Sequence, residues 1–358
     1  MKILDNYIGR TVLSSTLMTL LILAGISGLF RFIEQLKSVG KGDYDALHAA
    51  LFTMYSLPTD IEVFFPMAAL IGGLVGLGAL ASHSELIVMQ AAGLSRFNIV
   101  QSVMKAALVM VVLVMVVGEW VAPEAQKKAR QIKAQAISGG SLISAQQGVW
   151  AKDGASFVHI GVVEDTGRLD DVTIYKFTED LILRGVTHAV SANYGVVEKD
   201  SWLLEGVTEL MMEPERITKT VQTSLSWSSS LTPDKLGVVT IRRPEYLAIS
   251  DLVDYLDYLK GNKQDAGRYQ LAFWRKVLQP VTIAVMLFMA LSFIFGPLRS
   301  VTMGARILLG IITGFAFYMT NQIFGPIALV YRLPPIVGAL LPSLLFVGVS
   351  VYFIRQRN

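Results

Sequence analysis

Five stretches of the chain carry no Asp, Glu, Lys or Arg: Thr11 to Phe30, Val63 to Ala81, Val277 to Leu298, Ile307 to Tyr331 and Leu333 to Ile354, of 20, 19, 22, 25 and 22 residues. A hydrocarbon layer about 30 Å thick takes about 20 helical residues to cross, so each predicts a membrane-spanning helix. A sixth stretch, Asn98 to Ala122, carries Lys105 and Glu119 towards its two ends, with uncharged Ala106 to Gly118 between them. Charges at helix ends reach the interface, so this stretch also reads as a span. Six spans return both termini to one side. They fall into two groups of three around the polar segment Pro123 to Lys276. Lys2 and Arg10 before the first run resemble the start of a signal peptide. However, Arg31, Glu34 and Lys37 follow the run without an Ala-x-Ala site, which predicts an uncleaved signal anchor.

Between the two groups the pattern changes from helix-period runs to short alternating stretches separated by turn residues, the signature of a β domain. Ser156 to Val163 follows Asp153-Gly154, and Val172 to Phe177 alternates. Lys199-Asp200-Ser201 separates Tyr194 to Glu198 from Trp202 to Val207, and Thr218 to Trp227 adds a further run. Five or more strands at hairpin spacing predict a sandwich or jelly roll of about 100 residues. Helical flanks are expected over Glu124 to Ile137 and Ser250 to Lys260. The predicted fold is therefore a polytopic α-helical membrane protein, three spans plus three, with an inserted β domain. No internal repeat is visible.

Composition agrees. Hydrophobic residues make up 53% and charged residues 16%, against roughly 25% charged in an average soluble domain, which excludes a soluble globular protein. The 31 basic residues are nearly matched by 28 acidic ones, too mild a balance for nucleic acid. The absence of cysteine excludes disulfides, thiolate catalysis and Cys-ligated metals. Short loops and tails set orientation. One side holds Lys2, Arg10, Arg96, Lys105, Arg299, Arg306, Arg355 and Arg357, and the other holds Arg31, Lys37, Lys41 and Arg332. Eight against four places both termini in the cytoplasm and the middle domain outside. Lys127, Lys128, Arg130 and Lys133 weigh the other way and are discounted for the length of the domain they lead into.

No G-x-x-x-x-G-K-[ST] loop, H-E-x-x-H or G-x-S-x-G elbow is present, so ATP hydrolysis by a recognisable route is excluded. His48, His83, His159 and His188 have no metal-ligand spacing. Gly72-Gly73-Leu74-Val75-Gly76-Leu77-Gly78 and the Gly310/Gly314 pair let helix backbones approach closely, with packing inside the chain as the ordinary use. Ser84 to Gly93 reads as a short amphipathic helix on the cytoplasmic side. Ser84 is its N-cap, Gly93 its stop and Glu85 its single charge beside the dipole, and it either lies on the membrane or docks in a partner. Arg31 and Lys37, which flank Glu34, and Arg130 and Lys133 form a cationic cluster on the outer side. Interfacial snorkelling is their ordinary use, but an excess of positive charge there opposes the positive-inside bias.

Five strings, in order, resemble one family: Phe64-Phe65-Pro66-Met67-Ala68-Ala69-Leu70; Ser84-Glu85-Leu86 through Met89-Gln90-Ala91; Gly118-Glu119-Trp120-Val121-Ala122-Pro123; Leu231-Thr232-Pro233-Asp234-Lys235-Leu236-Gly237; and Ala290 to Ser300. Over essentially its whole length the chain resembles the inner-membrane lipopolysaccharide-export permeases of the paired LptF/LptG type, and within them the G-type subunit. The resemblance implies six spans, with a periplasmic β-jellyroll at about 138–240 inside the region 123–276. Residues 1–122 and 277–358 would hold the spans. No cofactor is implied. The implied partners are an F-type paralogue in a heterodimer, a dimer of cytoplasmic ATPase subunits, a single-span jellyroll protein and a periplasmic bridge. The implied substrate is lipopolysaccharide, drawn from the outer leaflet of the inner membrane. By the same resemblance the segment at about 84–94 is the coupling helix, with Glu85, Leu86 and Met89 towards the ATPase. Arg31, Lys37, Arg130 and Lys133 meet the anionic headgroup, and Phe64 and Phe65 flank the acyl chains, although packing between spans is an equally ordinary use for these two. Some relatives carry two adjacent lysines at Lys37-Ser38 and a lysine at Arg31. A tethered enzyme or mechanotransmitter that passes no lipid and the F-type paralogue are the alternatives. An ion channel is disfavoured by the lack of ring-forming acids or filter loops.

Overall fold

The computed structural model describes residues 2–138, 148–163, 168–178, 180, 182–196, 201–213, 215–233, 235–236, 243–295 and 301–355. In chain order its helices are α1 (Lys2–Leu36), α2 (Ala46–Ser82), α3 (Glu85–Ala91), α4 (Arg96–Val116), a π-helical turn (Val117–Val121), α5 (Ala122–Ser138), α6 (Ile249–Gly261), α7 (Gly267–Val277), α8 (Gln279–Phe295), α9 (Met303–Val330) and α10 (Pro335–Arg355). They divide between two units. One comprises Met1–Arg31, Ser56–Ala125 and Gly267–Asn358, and the other Phe32–Tyr55 and Gln126–Ala266.

The first unit is helical. Among the described residues, five helices are long and apolar enough to cross a membrane: α1, α2, α4 with its continuation, α9 and α10. The pair α7 and α8, bent by 53°, is a sixth if it is one span. The sequence predicts a single run over Val277 to Leu298, whereas the structure breaks it at Leu278. Pro280 supplies the reason, because it has no N–H to give the Lys276 carbonyl and its ring clashes there. Residues 296–300, with Arg299 and the end of the fifth family string, lie outside the described residues, as do Asp234, Gly237 and Arg357.

Small residues bring the helices together. A Cβ on Gly72 would lie 2.3 Å from the Thr16 Cα, and one on Gly76 would lie 2.5 Å from the Ser15 Oγ. The α1 and α2 backbones therefore touch, and the Ser15 hydroxyl donates to the Gly72 carbonyl at 2.7 Å. Gly310 and Gly314 admit Leu74 and Met67 in the same way. Both glycine groups thus serve packing within this chain. The core gathers Ile8, Val12, Leu70, Leu74, Leu77, Ile99, Met110, Met286 and Leu287.

The second unit carries one antiparallel sheet: β1 (Val149–Asp153), β2 (Ser156–Val163), β3 (Arg168–Phe177), β4 (Leu183–Tyr194), β5 (Ser201–Glu213) and β6 (Arg216–Ser228), each paired with its sequence neighbours. Gly154, at φ 60°, makes the first turn. The expected strand over Tyr194 to Glu198 is not one. Tyr194 ends β4 and Gly195, at φ 71°, turns the chain, while 197–200 lie outside the described residues, so Lys199-Asp200 is not placed. The sequence pattern marks neither β1 nor β4; β4 turns Gly185, Thr187, Ala189 and Ser191 inward and leaves Val190 exposed. Its hydrophobic alternation points to the wrong face.

The Trp202 indole donates to the Leu231 carbonyl at 2.7 Å. The buried Tyr258 on α6 donates its hydroxyl to the Lys152 carbonyl at 2.6 Å, and burial pushes that hydroxyl up to about 12. Asp45 caps α2 by accepting the His48 N–H at 2.9 Å, a bond that holds its carboxyl below the usual range.

Candidate functional site

In the helical unit the polar chemistry concentrates on the α2 segment between Pro58 and Pro66, where Thr59, Asp60 and Glu62 are buried. Arg31 grips the Asp60 carboxylate with both edges of its fork: Nη2 reaches Oδ1, and Nε donates to Oδ2 at 3.2 Å. The Ser27 hydroxyl donates to the same Oδ2 at 3.0 Å. One helical turn separates Ser27 from Arg31, so the two side chains share one face of α1. The Arg31 guanidinium, which the resemblance assigns to the lipid headgroup, therefore already holds an internal carboxylate.

Two residues further along α2, Glu62 accepts from the Lys276 ammonium at 2.7 Å, and both side chains are less than a tenth exposed. The Gln279 amide donates to the Glu62 carbonyl at 3.1 Å. Lys276 ends α7 at the proline break, and Gly118 lies in the π-helical turn. A Cβ on Gly118 would stand 2.9 Å from Glu62 Oε1, so only glycine leaves room for the pair. A π-bulge and a helix break meeting at one buried ion pair is the kind of irregularity that marks working sites. Sequence reading missed this cluster because Asp60 and Glu62 sit just before an uncharged run and read as its polar edge. The signal lay in two acids bracketed by two prolines.

Phe65 is buried in the helical core and Phe64 is half-buried beside it, so in this structure Phe65 packs between helices. The α3 segment forms where expected. Its C-terminus carries the paired 6→1 and 5→2 bonds, Leu94 N–H to the Met89 carbonyl at 3.1 Å and Gly93 N–H to the Gln90 carbonyl at 3.0 Å, around Gly93 at φ 97°. The N-cap expectation is corrected, because Ser84 has a left-handed backbone, φ 60°, and makes no side-chain cap bond. Leu86 and Met89 are 4% and 7% exposed and pack against the core, while Ile87 and Val88, at 54% and 65%, face outward. Glu85 accepts the Tyr7 hydroxyl of α1 at 2.9 Å.

In the sheet-bearing unit, Lys37 lies exposed one residue past α1. Lys133 on α5 donates to the buried Gln35 Oε1 at 2.8 Å and rests over the rings of Tyr44 and Phe52, 5.8 and 5.4 Å from their centroids. Arg130, one turn earlier on the same helix, rests 5.7 Å from the centroid of Tyr246. Aromatic and amide partners fix these two cations in place without neutralising them. The same helix adds Lys128, 5.9 Å from the Tyr55 centroid.

Apolar helices packed through glycines, buried charges at helix breaks and a separate antiparallel sheet fit a polytopic membrane protein with an inserted sheet domain. The family model of the lipopolysaccharide export system permeases LptF/LptG matches residues 6–356, and the chain belongs to that family. It is 50% identical over 99% of both chains to the lipopolysaccharide export system permease protein LptG of Escherichia coli K12, and 49% identical over 99% of this chain and 98% of the other to LptG of Haemophilus influenzae. Against the LptF protein of Escherichia coli K12 it is 27% identical over 45% of each chain. Its likeness is thus to the G-type permeases, a family of permease subunits rather than enzymes.

Proposed function

We propose that this chain is the G-type half of a lipopolysaccharide exporter of the inner membrane. In this reading it pairs with an F-type relative and sits on a cytoplasmic ATPase dimer that supplies the energy. The observation that carries the reading is the match to LptG proteins along the whole chain at about half identity. The bent α7–α8 pair would count as one span and bring the total to six, with both termini cytoplasmic. The segment 123–276 would lie in the periplasm, with its sheet as a jellyroll-type platform leading to a single-span jellyroll partner and a bridge protein.

The lipid's acyl chains would occupy an apolar cavity bordered by Phe64, while Lys37, Arg130 and Lys133 bind phosphate by charge-assisted hydrogen bonds. Arg31 would join them only by exchanging its Asp60 contact. Coupling to the ATPase would run through α3, with Ile87 and Val88 as the contact face and Glu85 beside them. Purification of the native complex followed by mass spectrometry of the intact assembly tests the reading. The expected result is one F-type chain, two ATPase chains and bound glycolipid. Recovery of the chain with neither ATPase nor glycolipid overturns it and favours a tethered protein that moves no lipid.

A further inference from the structure

Three cations of the helical unit pair with carboxylates, Arg31 with Asp60, Lys105 with Asp5 and Lys276 with Glu62, and on the sheet Lys176 pairs with Glu209 and Arg168 with Asp170. In the sheet-bearing unit, Lys41, Arg130, Lys133 and Arg243 have none within 4 Å among the described residues. Aromatic rings hold three of the four instead. Arg243 was singled out by no motif. It lies 5.8 Å from the centroid of the same Tyr246 ring that carries Arg130 at 5.7 Å, and its Nη1 donates to the Tyr246 hydroxyl at 3.0 Å. One tyrosine therefore fixes two guanidinium groups, which can be no more than about 12 Å apart.

Gathering like charges is unfavourable unless something offsets it. The carboxylates that act on the group are Glu34 and Glu245, both exposed and neither within ion-pair distance. Tyr246 itself is held by a short 3-10 turn, Pro244–Tyr246, whose proline fixes the backbone directly after Arg243. The rings cost no counter-charge, so the guanidinium donors stay available to a ligand, and a planar fork matches a phosphate oxygen pair.

We infer that Arg243 and Tyr246 complete an anion site with Arg130 that takes a phosphate monoester of the transported glycolipid, with Tyr246 as the positioning residue for both arginines. This rests on the function proposed above and assigns a part of it to the segment that follows the sheet. Sequence distance hides the site, since Arg130 and Arg243 belong to opposite ends of the inserted segment.

The test is equilibrium binding to the purified full complex in nanodiscs, with bisphosphorylated lipid A, the same lipid A stripped of its phosphates, and phosphatidylglycerol as probes. Arg243→Gln and Tyr246→Leu are each expected to weaken binding of the phosphorylated lipid A about tenfold, as loss of one charge-assisted hydrogen-bonding group does, and to leave the stripped lipid unchanged. Arg243→Lys, which keeps the charge, should recover most of the loss, and Tyr246→Phe, which keeps the ring, should fall between. Unchanged binding of phosphorylated lipid A overturns the inference, as does an equal loss for both lipid A forms. A matching loss for phosphatidylglycerol overturns it too and reduces the arginines to interfacial charge. If the unmodified complex binds phosphorylated lipid A and the variants do not differ from it, the inference alone fails. If the unmodified complex binds no lipid A, the proposed function fails with it.

Discussion

Lys276 and Glu62 show how much one contact carries when it is buried. Each excludes water from the other, and the Gly118 backbone closes over them. Removing one partner leaves an uncompensated charge out of water, which typically costs about 3 to 5 kcal/mol, whereas replacing both with apolar groups of similar volume is often neutral. Lys276→Met alone is therefore expected to lower the melting temperature of the purified protein markedly, and Lys276→Met with Glu62→Leu to regain most of it. Equal melting for the single and double variants would show the pair to be worth nothing in place. Gly118→Ala should mimic the single loss, since its Cβ has no space beside Glu62 Oε1. None of this was readable from residue types, because a sequence shows that Glu62 is charged but not that it is enclosed. Its partner lies 214 positions away.

At the scale of elements, the long apolar runs were legible and the irregularities inside them were not. Uncharged runs of about 20 residues have few alternatives to a helix, but the break at Leu278 and the π-helical turn at Val117–Val121 depend on local clashes that hydropathy does not register. Strands β2 and β6 showed their alternation. β4 concealed its face because small residues turn inward, and β1 was too short to stand out. On α3 the sequence showed the helix but not that Leu86 and Met89 pack inward while Ile87 and Val88 face outward. The outward pair gives a sharper expectation for the contact. Val88→Asp with Ile87→Asp should abolish ATPase copurification while the chain stays folded, and Leu86→Ala should instead lower stability by about 2 to 5 kcal/mol, the range for a buried leucine. ATPase recovery equal to wild type from the double aspartate variant would return α3 to the role of a membrane-surface helix.

For the whole molecule, the absence of cysteine makes orientation measurable one site at a time. Phe97, 74% exposed at the start of α4, and Lys219, exposed on β6, are placed on opposite sides by the proposed topology. Lys219→Cys is expected to react with an impermeant maleimide in intact cells and Phe97→Cys only after lysis. The reverse pattern would invert the topology and remove the proposed route for lipid. The candidate site was legible only in part at this scale. Lys37, Arg130 and Lys133 stood out as excess positive charge, whereas Arg243 needed the fold to bring it to Tyr246.

The length of α1 has a mechanical consequence. Its 35 residues form a single helix without proline, so the rod is about 52 Å long, well beyond a hydrocarbon layer of about 30 Å. Tyr7 near its first turn holds Glu85, and Gln35 near its last turn holds Lys133. α2, by contrast, carries Pro58 and Pro66 within it and has places to flex. An unbroken rod of that length acts as a lever. A tilt of about 5° about one end sweeps the other through some 4 to 5 Å. A small rocking at either end of α1 is thus enlarged at the other.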